Sequence, residues 1–159
     1  MIAETVAQEG EGLAPYKWAD NVLTFRISDD FTAGQRAAII QAGTEWGKAA
    51  GITWVYADDP VIWVRPGERP ETYLPNNTEL GGDIFLQNPE APTGFDLFNT
   101  LHEIGHALGL VHNNDKSVMN VGLAYLPFIR PTEPTAIDIE RVQDMYSEIG
   151  LVGIGDSFG

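Results

Sequence analysis

The chain contains no cysteine among its 159 residues. That absence excludes disulfides, thiolate metal ligands and a cysteine nucleophile together. Basic residues are scarce too: nine Lys and Arg stand against 23 Asp and Glu, giving a formal charge of −14. A nucleic-acid partner is excluded on that balance, because a phosphate backbone needs a basic face to displace its counterions. The acidic surplus reads as a solvated surface that favours solubility. No apolar run approaches the ~18 residues of a membrane span, so no membrane partner is expected. The first twelve residues carry Glu4, Glu9 and Glu11 without a basic start or an apolar stretch, so they do not read as a signal peptide.

What is present suits one folded domain, since a chain of this length buries a core without staples. Residues 1–14 read as a flexible arm or the remnant of a pro-segment. The domain is expected over 15–150, with a tail over 151–159. Residues 22–27 are rich in β-branched and aromatic types and read as a strand. Thr32 with Gln35 makes a capping box, after which Ala37, Ile40, Trp46 and Ala50 recur at near-helical spacing up to Gly51. Residues 52–56 and 61–65 are further strands, separated by the turn chemistry of Asp58-Asp59-Pro60. Residues 66–82 are dense in Pro, Asn, Glu and Gly and are expected to hold no regular element. Residues 83–87 form another strand. Over 95–108, Leu97, Leu101, Ile104 and Leu108 mark one apolar helix face. Thr135 and Asp138 make a second capping box before a helix through Ile139, Val142, Tyr146 and Ile149, ending at Gly150. Strands in the first half and helices after them give an α+β class with a mixed sheet.

His102-Glu103-Ile104-Gly105-His106 is an H-E-x-x-H motif on an expected helix, where residues four apart stand one turn above each other. Two imidazoles there grip one zinc ion. A catalytic zinc takes three protein ligands and leaves a position open. Gly109 supplies the means for the third: in a left-handed conformation it ends the helix and turns the chain back, so that His112 faces the same metal. The chain has only three histidines, and all lie in this motif. Each alone would read as a satisfied core or surface residue; three at this spacing with Glu103 and Gly109 read as a zinc site. Glu103 beside the water that such a metal activates takes its proton. Asp115 is read either as a loop residue or as one that orients an imidazole from behind. The extended pattern HEIGHALGLVH followed by Ser117-Val118-Met119-Asn120 is the signature of the metzincins.

The resemblance extends past the motif. Ala-Pro-Tyr-Lys-Trp-Ala-Asp-Asn-Val-Leu-Thr-Phe-Arg-Ile-Ser at 14–28 resembles the start of a matrixin catalytic domain, and Gly81-Gly82-Asp83-Ile84-Phe85 resembles its edge strand. FNTLHEIGHALGLVH is similar to matrixins and to bacterial serralysins, and residues 138–146 are similar to their C-terminal helix. The likeness implies a zincin-like fold: a twisted, mostly parallel sheet with one antiparallel edge strand, an active-site helix and a C-terminal helix. It also implies that Met119 lies beneath the metal and that Asp138 braces the turn around it. Serralysins carry a tyrosine where this chain has Val121, and matrixins hold a structural zinc with histidines that this chain lacks.

The expected function is that of a zinc-dependent endopeptidase, secreted or extracellular and monomeric, acting on protein or peptide substrates and open to a proteinaceous inhibitor or pro-segment. The rival is a zinc-bearing peptide-binding or non-cleaving peptidase-like domain of a larger secreted protein; Glu103 favours the enzyme, because a binding module needs no base beside the metal. Calcium is a further expected ion, on the carboxylates of Glu68, Glu71, Glu79, Asp83 and Glu90. Substrate is expected to add as a strand to Asp83, Ile84, Phe85 and Leu86, taken as the free sheet edge. By the resemblance, the segment with Val121, Leu123, Tyr125, Leu126 and Phe128 bounds a pocket for a large apolar side chain beyond the cleaved bond.

Overall fold

The computed structural model describes residues 3–5, 16–18, 22–68, 70–73, 82–87, 97–125 and 130–155. Two short strands, β1 (Ala3–Thr5) and β2 (Tyr16–Trp18), pair antiparallel as a separate ribbon, so part of the expected N-terminal arm is a strand. The main sheet has five strands: β3 (Val22–Ile27), β4 (Thr53–Tyr56), β5 (Ile62–Gly67), β6 (Glu71–Tyr73) and β7 (Gly82–Gln87). They lie in the order β4-β3-β5-β7-β6, the first four parallel and β6 antiparallel to β7.

Helix α1 (Ala33–Ala50) starts where the capping box places it: Gln35 N–H donates to the Thr32 hydroxyl and Thr32 N–H to the Gln35 side chain. It stops at Gly51, whose φ of 73° is a left-handed cap that a side chain would resist. Leu23, Ile27, Ile62, Val64, Ile84 and Leu86 alternate onto the inner face of the sheet. There they form one core with Ile39 and Trp46 of α1 and with Leu101 and Ile104 of α2 (Leu97–Ala107). Trp46 Nε1 donates to the Leu101 carbonyl at 2.9 Å, locking α1 to α2. Helix α3 (Ala136–Gly155) closes the far side of α1, with the Tyr146 hydroxyl donating to the Leu108 carbonyl at 2.6 Å.

The structure corrects three expectations. Residues 66–82 are not without regular structure, because β5 runs on to Gly67 and β6 lies among them. Pro66 is tolerated in a central strand because β3 ends at Ile27, opposite Val64, so at Pro66 only β7 is alongside. Next, β7 is not the sheet edge: β5 flanks it on one side and β6 on the other, so β6 is the edge strand. Last, α3 continues through Gly150 to Gly155, as a lone glycine costs a helix only about 1 kcal/mol.

Candidate active site

The site is built on α2, whose residues Thr100 to Ala107 are all buried, as are Leu108 to Leu110 in the turn after it. His102 and His106 stand one turn apart on the same face. The helix then ends in a Schellman motif: Leu110 N–H donates to the Gly105 carbonyl at 3.0 Å and Gly109 N–H to the His106 carbonyl at 2.9 Å. Gly109 has a φ of 107°, which the absence of a Cβ permits. The turn does two things. It aims the Leu110 carbonyl at His106 Nδ1, 2.8 Å away, and it sends the chain back so that His112 reaches the other two histidines.

His102 has the same arrangement on the other side, its Nδ1 lying 2.7 Å from the Val118 carbonyl. A carbonyl only accepts, so both Nδ1 atoms carry their protons and both Nε2 atoms present lone pairs. Those two lone pairs meet at 3.1 Å, and His112 Nε2 lies 3.2 Å from one and 3.1 Å from the other. With no proton between His102 Nε2 and His106 Nε2, the contact is repulsive unless a cation sits among them. Tetrahedral ligands at the usual zinc–nitrogen distance stand about 3.3 Å apart. The three imidazoles therefore fit a zinc ion. Burial first, and then the neighbouring imidazoles, hold His106 down to about 3; burial likewise holds His102 down to about 4, so both stay neutral and ligand-ready at physiological pH.

Glu103, between the two helical histidines, is 5% exposed. Burial pushes its carboxyl up to about 7, with the Thr72 hydrogen bond pulling the other way and Glu71 adding repulsion. A divalent cation nearby would draw that value down. The Thr72 hydroxyl lies 2.5 Å from Glu103 Oε1 and 3.0 Å from its main-chain carbonyl. Nothing in the sequence pointed to Thr72, which is 31 residues away and lies in a stretch expected to be irregular. The cleft, about 370 Å³, is bounded by the histidines and Glu103 below, Glu71 and Thr72 of β6 above, and Phe98 and Val121 at its ends.

Met119 is buried beneath α2, where a Cβ built on Gly105 would meet its Sδ at 2.5 Å. Helix and methionine approach this closely only because position 105 is glycine. The buried Asp138 carboxylate accepts from the Ser117 hydroxyl, from Val118 N–H at 3.0 Å and from Thr135 N–H at 2.8 Å, gathering the segment around Met119. Asp115 does not orient His102 or His106: its carboxylate takes Arg141 at 2.6 Å, and backbone carbonyls hold those two rings instead.

The other expected substrate contacts fare differently. Ile84 and Leu86 are each 1% exposed in the core and cannot meet a peptide side chain, while Asp83 pairs with Arg65 at 3.1 Å. The Phe85 side chain lies against Gly67. Val121 does line the cleft and is 46% exposed. Leu123 packs against the core, and the Tyr125 side chain, Leu126 and Phe128 lie outside the described residues. Of the carboxylates expected to hold calcium, Glu79 and Glu90 also lie outside them, and the cluster among the described residues whose ligand atoms converge closely enough to hold a metal ion is the histidine triad.

The family model for matrixins matches residues 54–147, more than half of the chain. The chain belongs to the matrixins. This matrixin is 32% identical over 129 residues to matrix metalloproteinase-20 of Homo sapiens, a match that covers 65% of the chain and 26% of that protein. To matrix metalloproteinase-26 of Homo sapiens it is 26% identical over 157 residues, covering 83% of the chain and 60% of the relative. It thus spans about a quarter of the first relative's length and three-fifths of the second's. In fold the matrixin is similar to high choriolytic enzyme 1, a hatching-enzyme zinc protease of Oryzias latipes, with a TM-score of 0.61 at 16% identity over 82% of this chain and 92% of the other. The architecture is that of a metzincin, and residues 54–147 make up the part of the chain that the matrixin family model matches.

Proposed function

We propose that the chain is a zinc-dependent endopeptidase that hydrolyses internal peptide bonds of extended polypeptides, with Glu103 as general base. The observation that carries this reading is the pair of Nε2 lone pairs facing each other at 3.1 Å, with His112 closing the triangle and a buried carboxylate on the intervening residue. Zinc, when bound to His102, His106 and His112, supplies the Lewis acidity that brings a water within reach of deprotonation near neutral pH. Glu103 takes the proton of a water in the cleft and returns it to the departing amine, a role that suits a carboxyl whose affinity for protons burial has raised.

The polypeptide is laid along β6, the edge strand that forms the upper lip of the cleft. An edge strand offers backbone donors and acceptors to an added strand, which grips the main chain and leaves sequence choice to side-chain pockets. The apolar Val121 at one end of the cleft favours an apolar side chain on the leaving side. Action outside the cell is part of the same reading and rests on kinship with matrix metalloproteinases. No described helix is long and apolar enough to cross a membrane.

Incubation of the purified protein with denatured casein, followed by mapping of the cleavage sites, tests the reading. Internal cuts that stop on chelation and resume on adding zinc are expected. Cleavage indifferent to chelator, or trimming confined to chain ends, would contradict it.

A further inference from the structure

Thr72 occupies the middle of β6, opposite Ile84, and its side chain points to the same inner face. It is 7% exposed, one of few buried polar side chains among the described residues. Its hydroxyl has a single proton and two acceptors within reach, Glu103 Oε1 at 2.5 Å and the Glu103 carbonyl at 3.0 Å. The carboxylate oxygen is both nearer and the stronger acceptor, so the proton goes there. Among the described residues, Glu103 Oε2 has no hydrogen-bond partner.

We infer that Thr72 is a positioning residue for Glu103: it ties down Oε1 and leaves Oε2 as the oxygen that works on water beside the three imidazoles. A glutamate side chain has three torsions to fix, and a base displaced by even 1 Å loses much of its effect. The tether also has a direction. Thr72 lies on the strand along which the polypeptide is laid, so the backbone that registers the substrate also holds the base. Main-chain pairing on β6 thereby steadies Glu103. This rests on the endopeptidase reading.

Two substitutions separate positioning from mere packing. Thr72→Val keeps the shape and removes the donor; Thr72→Ser keeps the donor and loses a methyl. With zinc content and KM unchanged, Thr72→Val is expected to lower kcat about tenfold or more, and Thr72→Ser to stay within about threefold of the parent. A Val variant within about twofold of the parent, or a Ser variant as impaired as Val, would overturn the inference. A second readout needs neither metal nor turnover. In the metal-free protein, Thr72→Val should lower the urea midpoint clearly when Glu103 is present and much less in a Glu103→Ala background. Equal shifts in both backgrounds would show that no such tether exists. If the zinc-loaded parent cuts no peptide, the endopeptidase reading falls, and the metal-free cycle still decides whether Thr72 holds Glu103.

Discussion

Asp138 and His102 are joined through the backbone of Val118, whose N–H donates to Asp138 Oδ2 at 3.0 Å while its carbonyl receives His102 Nδ1 at 2.7 Å. The carboxylate at the start of α3 therefore sets the height of the carbonyl that fixes a metal ligand on α2. Replacing Asp138 by Ala strands the Ser117 hydroxyl and the Val118 N–H in a buried place and the Thr135 N–H in a half-buried one. A loss of about 2–4 kcal/mol in unfolding free energy is expected, because unpaired buried donors keep their full desolvation penalty. Zinc affinity should fall about tenfold, as it does when the groups behind a ligand are lost. Denaturant unfolding and zinc competition measure the two effects; a stable variant with unchanged affinity would disprove the linkage.

A second expectation concerns Gly105. Alanine is the better helix former by about 1 kcal/mol, so on local grounds Gly105→Ala should stabilise α2. The Met119 Sδ at 2.5 Å and Trp46 Cζ2 at 3.2 Å from the new Cβ leave no room for it, and both residues are fully buried. Overpacking of this kind costs about 1–3 kcal/mol, so the net effect is destabilising. Thermal unfolding shows it directly, and a melting temperature raised by Gly105→Ala would contradict the packing.

Acid should act on the metal-free protein through the same histidines. His102 is held at about 4 and His106 at about 3, against an ordinary value near 6.5, so below about 6.5 the unfolded chain binds protons that the folded one refuses. Stability therefore falls as pH falls. Glu103, raised to about 7, works in the opposite sense between its unfolded value of 4.5 and 7, and offsets part of that loss. Below 4.5 the histidines act unopposed, His102 down to about 4 and His106 down to about 3. Urea midpoints across pH 3 to 7 should decline toward acid, and less steeply for His106→Gln; identical slopes would refute this cause.

The sequence announced features that close locally. Thr32 and Gln35 cap α1 three residues apart, Gly51 and Gly109 take the left-handed turns that end two helices, and the histidine spacing needs only one helix and one turn to converge. The features it hid depend on partners far along the chain. A three-residue strand such as β6 has no period to detect, and Pro66 in β5 argues against a strand unless one knows that β3 has already ended beside it. With β6 undetected, β7 reads as the edge, and the substrate contacts expected at Asp83, Ile84, Phe85 and Leu86 fall on a strand that β5 and β6 enclose. The Thr72–Glu103 hydrogen bond and the Val118 carbonyl behind His102 are hidden for the same reason.

The most direct test of the zinc-and-glutamate account is the turnover of zinc-loaded Glu103→Gln on denatured casein, compared with the parent at equal zinc content. Glutamine keeps the size of the side chain and can still take the Thr72 hydrogen bond through its carbonyl oxygen, but it cannot accept a proton. Because Glu103 is not among the three converging ligands, the variant should retain one zinc per chain and its fold. Turnover should drop by about 10²–10⁴-fold, the share a positioned general base contributes. A zinc-loaded Glu103→Gln that cuts casein at close to the parent's rate would place the base elsewhere.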